Sequence, residues 1–276
     1  MQTSDISWTD YSWNPITGCS KIGPECANCY AETFSRRQAQ RENPPEGATE
    51  KPWTHENADD NVQLHPDRLD EPGEYHYPLG PGRVFVGSMT DMFHSKSDPD
   101  HVQQALDRCA EVPECLWIWL TKRPHRAAEW RLDWPENTML GVSVGSGPGG
   151  EYPNTTHRIE QLRDVDAPQK WVSFEPLVEP IGEVALDHID WVVVGGETGP
   201  ADVRREMDHE WAREILQQAR DEDIPFHFKQ SSGRYPHENP ALSVPQNGVM
   251  VQKKIREGPP LPEIVQQARG GDSSAD

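Results

Sequence analysis

The chain has 276 residues and a formal net charge of −20, with 46 acidic against 26 basic residues, only 8 of them lysine. No run of eighteen apolar residues exists, which excludes a membrane-spanning helix, and the opening MQTSDISWTD lacks the basic and apolar regions of a secretory signal, so a cytoplasmic, reducing location is expected. The acid excess runs along the whole chain, and an evenly acidic, lysine-poor surface points to a salt-adapted cytoplasm, where screening makes net charge a poor guide to the substrate.

In chain order, a first strand is predicted within ISWTDYSWNP (6–15). TGCSKIGPECANCYAE (17–32) follows at once and holds three of the five cysteines, spaced Cys19-x6-Cys26-x2-Cys29, with the aromatic Tyr30 after the last. Clustered cysteines in a reducing compartment bind metal more often than they pair as disulfides. A structural zinc ion wants four ligands. Cys109 falls late in a predicted helix and Cys115 at the start of a strand, at the far end of the molecule, so both read as ordinary buried thiols. His55 and His65 are available as a fourth ligand, but no spacing demands them. Three cysteines suffice for a [4Fe–4S] cluster whose fourth iron binds something else, and such an iron can chelate the amine and carboxylate that S-adenosylmethionine presents. The residues by themselves leave zinc, disulfides and cluster open.

Residues 42–60 are polar and proline-rich and read as an insertion; NVQLHPDRL (61–69) is a candidate further strand. Six short apolar runs then recur: RVFVGSMTD (83–91), CLWIWLTKRP (115–124), MLGVSVG (139–145), KWVSFEPL (170–177), DWVVVGGETG (190–199) and IPFHFKQ (224–230). They are too short for buried helices and right for buried parallel strands. Helical patterns lie between them at 97–112, with Ser97 and Asp98 as cap candidates, at 154–165 and at 207–223. Alternating strands and helices predict an α/β fold with a parallel sheet. Seven or eight strands, with no GxGxxG after the first, suit a TIM-like (β/α) barrel, full or partial, better than a doubly wound sheet. Residues 1–265 read as one domain, with 231–262 loop-like and 266–276 a disordered tail.

Each apolar run ends in chemically useful groups: Ser88, Thr90 and Asp91; Thr121, Lys122 and Arg123; Ser143; Glu175; Glu197 and Thr198; Lys229 and Gln230. In a βα barrel the C-terminal strand ends share one mouth, where active sites sit. The cysteine loop follows the first strand onto that mouth. Six polar strand ends beside a cysteine cluster therefore predict one site.

The stretches WTDYSWNPITGCSKIGPECANCYAE, FVGSMTDMFH, LTKRP, LGVSVG, VSFEPL, VVGGETGP and FHFKQ run in order from residue 8 to about 230. With them the chain resembles a phage-associated family of radical-SAM-like proteins of unknown function. The resemblance implies that Cys19, Cys26 and Cys29 ligate a [4Fe–4S] cluster and that Tyr30 lies near the adenine of S-adenosylmethionine. It implies Ser88, Thr90 and Asp91 at the methionine amine, Lys122 or Arg123 at the methionine carboxylate and Ser143 at the ribose. Asp91, Lys122, Glu175, Glu197 and Lys229, with Gln230, are left for the substrate and its chemistry. An electron donor such as ferredoxin or flavodoxin is implied too, with one electron breaking a carbon–sulfur bond of the sulfonium to give a 5′-deoxyadenosyl radical that takes hydrogen from the substrate.

Two departures stand out. The first cysteine gap is six residues where the superfamily usually has three, so the loop must be rebuilt, and GSGPGG (145–150) replaces a polar pair after LGVSV. Two rival readings remain: a non-catalytic zinc- or cluster-binding module, and a metal-independent barrel hydrolase using Asp91, Glu175 and Glu197 as acid and base. A nucleic-acid substrate is a further expectation, from the phage association and a distant likeness to radical DNA-lesion repair lyases. Trp13, Trp53, Tyr235 and His237, in or near loops, are its stacking candidates. Trp117, Trp119, Trp171 and Trp191 read as core.

Overall fold

A computed structural model describes residues 1–270. The chain opens with the antiparallel pair β1 (Gln2–Thr3) and β2 (Tyr11–Trp13). Short β3 (Ile16–Thr17) leads into the cysteine loop, which ends in α1 (Tyr30–Ala39). After α2 (Ala58–Asn61), β4 (Gln63–Leu64) returns to pair antiparallel with β3. The strand expected at 61–69 therefore forms, but in a two-stranded ribbon apart from the main sheet, and Pro66 stops it after two residues.

Beyond α3 (Glu71–Glu74) come β5 (Arg83–Val86), α4 (Pro99–Ala110), β6 (Leu116–Thr121), α5 (Pro124–Trp130), β7 (Thr138–Ser143) and α6 (His157–Arg163). They are followed by β8 (Gln169–Phe174), β9 (Trp191–Gly195), α7 (His209–Asp221) and β10 (Phe226–Gln230). Asp98 caps α4, accepting the Asp100 amide at 3.0 Å, and Asp208 caps α7 in the same way. Ser97 is not the cap.

Two stretches differ from expectation. Within 231–262, β11 (Leu242–Gln246) and β12 (Val249–Lys253) form a hairpin. Its turn is Asn247–Gly248, with φ of 52° and 78°, the left-handed pair that tight hairpins require. Helix α8 (Glu263–Gly270) covers 266–270, the start of the expected tail, and buries Val265. Residues 271–276 lie outside the described residues.

The main sheet has eight strands in the order β1-β2-β5-β6-β7-β8-β9-β10, and every pair after β1–β2 is parallel. From β2 to β10 neighbours in the sheet follow one another along the chain, without the reversal of a doubly wound sheet. The sheet does not close: among the described residues β10 and β2 are not paired, and a Ser7 Oγ–His227 Nε2 contact of 2.9 Å spans the open side. The closed barrel is thus not formed.

The sheet nevertheless curls. Trp8 lies 4.9 Å from the ring of Phe85 on β5, 5.2 Å from Trp171 on β8 and 6.1 Å from Trp191 on β9. Flat strands four positions apart would be about 19 Å from each other, so one indole touches both only if the sheet wraps round it. Side chains alternate across this wall. Val84, Trp117, Leu140, Val172, Val192 and Phe226 face the helices. Phe85, Ile118, Met139, Trp171 and Val193 face inward around Trp8. Burial on both faces explains why the strands read as unbroken apolar runs. No described helix is long and apolar enough to cross a membrane.

Candidate functional site

The inward positions turn polar at the C-terminal ends of the strands, where a cavity opens. It is lined by Cys19, Cys26, Cys29, Tyr30, Ser88, Thr90, Asp91, Lys122, Arg123, Ser143, Glu175, Glu197 and Lys229, with Thr121, Thr198 and Gln230 beside them. Every candidate site residue from the strand ends and the cysteine loop faces this one space. Trp8, Phe85 and Leu120 make its floor, and Trp53 closes one side.

All three thiols are free and partly exposed. Among the described residues their sulfurs do not all lie within 4.8 Å of one another, wider than the roughly 3.8 Å between thiolates sharing one tetrahedral zinc. Among the described residues, no histidine and no fourth cysteine lines the cavity. His55 and His65 lie elsewhere, and Cys109 and Cys115 are buried in the outer core. Burial pushes the Cys19 thiol up to about 12, with Asp91 adding to the rise and Arg123, 3.8 Å from the sulfur, opposing it. Burial also raises Cys29, against the pull of Lys122. Thiols held this way ionise when a cationic centre binds them. Three thiol donors without a fourth, beside two cations, fit a cluster with one open corner.

Four anchors hold the cysteine loop. At its start, Arg123 Nη2 donates to the Ser20 carbonyl at 3.0 Å, while Ser20 Oγ lies 2.7 Å from His94 Nε2. The Lys96 amide donates to His94 Nδ1 at 3.1 Å, so Nε2 carries the proton and donates to Ser20. In the middle, the buried Glu25 accepts from the Gly145 amide at 2.9 Å and from Arg158 Nη1 at 3.0 Å. Asn28 Nδ2 donates to Glu197 Oε2 at 2.9 Å, and Arg205, paired with the same carboxylate, donates to the Pro24 carbonyl. At the end, Glu32 accepts the Trp53 amide at 3.0 Å and pairs with Lys21 at 2.8 Å. The long first gap ends in a 3-10 turn, Pro24–Cys26. Of these anchors, sequence reading singled out only Arg123 and Glu197 as site residues. Glu25 and Asn28 sit within the cysteine motif itself, and charged or amide groups between clustered thiols were the available signal.

The carboxylates are engaged. Asp91 accepts from Thr121 Oγ1 (2.7 Å), the Lys122 amide (3.0 Å), the Phe93 amide (3.1 Å) and Arg123 Nη1 (2.8 Å). Burial works against its charge, but Arg123 and these donors win and lower its pKa. Glu197 is lowered too, Arg205 and Asn28 outweighing its burial. Glu175 pairs with Lys229 at 3.0 Å and accepts from Ser173 at 3.1 Å. Thr90 Oγ1 donates to the Gly18 carbonyl at 2.6 Å, and Tyr30 OH donates to the Ser88 carbonyl at 2.7 Å. Lys122 differs. Its Nζ reaches Ser143 Oγ at 3.3 Å and, among the described residues, lies within 4 Å of no carboxylate. Burial disfavours its charge, yet Cys26, Glu25 and Cys29 raise its pKa.

Two of the four stacking candidates are not surface residues. Trp13 is fully buried in β2, its Nε1 donating to the Arg68 carbonyl at 2.9 Å, and Trp53 is 3% exposed. Tyr235 is exposed, and Trp117, Trp119, Trp171 and Trp191 are core, as expected.

A model of the family described as "Protein of unknown function (DUF5131)" matches residues 3–263. No curated protein matches the chain. Two solved structures of spore photoproduct lyase, a cysteine-to-serine and a tyrosine-to-phenylalanine mutant, are similar at 12% identity and a TM-score of 0.38. They cover 99% and 92% of this chain and 73% and 70% of their own; a likeness at that level assigns no activity.

Proposed function

This chain belongs to the family described as "Protein of unknown function (DUF5131)", and from the geometry of its cavity we propose that it is a radical S-adenosylmethionine enzyme with a [4Fe–4S] cluster on Cys19, Cys26 and Cys29. The observation that carries this reading is the set of three free thiols, with no fourth cysteine and no histidine beside them among the described residues, on the wall of a cavity at the polar ends of parallel strands. Bound there, the cluster and S-adenosylmethionine would supply one-electron cleavage of a sulfonium and a radical that takes hydrogen.

The chain's own residues divide the remaining work. Lys122 is the cation left for the methionine carboxylate, because Arg123 is committed to Asp91 and Ser20. Thr90 and Asp91 shape the loop instead of meeting the methionine amine directly, which leaves Ser88 beside Tyr30. Glu175 and Lys229 are the charged pair facing the rest of the cavity and are assigned to the substrate. Trp8, Phe85 and Leu120 keep water from the floor.

The hydrolase reading, on Asp91, Glu175 and Glu197, is disfavoured. A hydrolytic pair needs a carboxylic acid free to give and take a proton, whereas Asp91 and Glu197 are held below the usual carboxylate range by arginine and Glu175 is paired with Lys229 at 3.0 Å.

Anaerobic reconstitution with iron and sulfide tests the proposal. We expect a brown protein with about four irons per chain, which forms 5′-deoxyadenosine when S-adenosylmethionine and a reductant, ferredoxin or flavodoxin among them, are supplied. One colourless zinc per chain, or a complete cluster that yields no 5′-deoxyadenosine, would overturn it.

A further inference from the structure

A second group of ligating side chains lies away from the mouth, where the 42–60 insertion meets the β3–β4 ribbon. His65, just after β4, is 1% exposed. Its Nε2 lies 2.8 Å from Thr17 Oγ1, while its buried Nδ1 has no hydrogen-bond partner. Ligating atoms of Glu46, His65 and Asp67 all lie within 4.8 Å of one another. Nδ1 stands 3.8 Å from Glu46 Oε1, too far for a hydrogen bond.

Neither tautomer satisfies this arrangement. With the proton on Nε2, donated to Thr17, the Nδ1 lone pair is left without a donor, 3.8 Å from the Glu46 carboxylate. With the proton on Nδ1, a buried donor goes unpaired. An imidazolium would leave the same Nδ1–H without an acceptor, since the Glu46 carboxylate stands 3.8 Å away. A cation held among the three groups satisfies all of them, and the Thr17 contact sets the tautomer a metal needs.

We propose that Glu46, His65 and Asp67 form a binding site for one divalent metal ion of the zinc or manganese class, separate from the cysteines. One imidazole and two carboxylates suit those ions, and three protein ligands leave a position for water. The surroundings are built for the contact. Arg68 donates to the Glu46 carbonyl at 3.1 Å and to the Asn14 carbonyl at 3.2 Å, drawing the insertion onto the ribbon. Gly47, at φ +83°, passes so close that a Cβ would stand 2.2 Å from Thr17 Oγ1. The metal would pin the insertion to β3, whose Thr17 stands two residues before Cys19.

Manganese separates this site from the thiols, which favour softer metals. Metal-free full-length protein is titrated anaerobically with Mn2+ in concentrated KCl, and free Mn2+ is followed by electron paramagnetic resonance. We expect one ion per chain, bound at least about tenfold more weakly by Glu46→Gln/Asp67→Asn, two exposed positions whose replacement leaves the fold intact. The His65 ring resonances should broaden as the ion binds. With Zn2+, the double variant should take up one ion fewer than the wild type, whatever the cysteines hold. No Mn2+ binding at millimolar concentration, equal affinity in the variant, or equal zinc uptake would overturn the proposal.

Discussion

The floor and the mouth of the curled sheet are held by different forces. At the floor, Trp8, Phe85, Trp171 and Trp191 pack ring against ring at 4.9–6.1 Å. Gly141 is bare there because a Cβ would stand 2.4 Å from the Trp171 indole. At the mouth, the pairs Asp91–Arg123, Glu25–Arg158, Glu197–Arg205 and Glu175–Lys229 tie the strand ends and the cysteine loop together. Apolar contact is non-directional and rewards area. Buried ion pairs lose much of their attraction to desolvation, but each fixes direction and distance. The floor supplies stability, and the mouth gives some of it up for a fixed arrangement of thiols and cations.

Substitutions can break that division, and the largest expected effect is on activity alone. Cys26→Ser should abolish iron retention and 5′-deoxyadenosine formation while the urea midpoint of the metal-free protein stays close to wild type. Trp171→Ala should do the reverse, costing about 3–5 kcal/mol of stability in urea, with iron still bound per folded chain.

Glu25→Ala tests whether the mouth depends on its buried ion pairs. It leaves Arg158 buried without its partner and should cost about 3 kcal/mol, with cluster loss on gel filtration. Adding Arg158→Met should recover part of the stability without restoring the cluster, because the loop anchor stays absent.

Acid should act on both regions, through His94 beside the mouth and through His227, which burial lowers to about 3, against Trp191 of the floor. His94 is lowered from 6.5 to about 4, mainly by burial and then by Arg123. Its contribution is complete above 6.5 and lost as pH falls from 6.5 toward 4, by up to about 3 kcal/mol. Urea midpoints between pH 7 and 4 should fall more steeply for wild type than for His94→Gln. The smallest effect is at the surface hairpin: Gly248→Ala, at φ +78°, should cost about 1 kcal/mol with iron content unchanged.

The parallel strands were legible because burial on both faces makes each an unbroken apolar run, and the mouth because each run ends in a polar group. The Asn247–Gly248 pair was an equally plain hairpin signal within a stretch read as loop. Trp13 and Trp53 misled, since an indole near a loop reads as exposed until a partner segment covers it.

Sequence by itself determined the alternation of strands and helices, the gathering of polar groups at one end and the trio of thiols, because these follow from local periodicity and spacing. Only the tertiary structure decided that the sheet curls without closing, that Glu25 meets Arg158 across 133 residues and that Asn28 meets Glu197 across 169. Those meetings depend on how far the sheet bends around Trp8. That is a balance of packing over many distant side chains, and no short stretch of sequence encodes it.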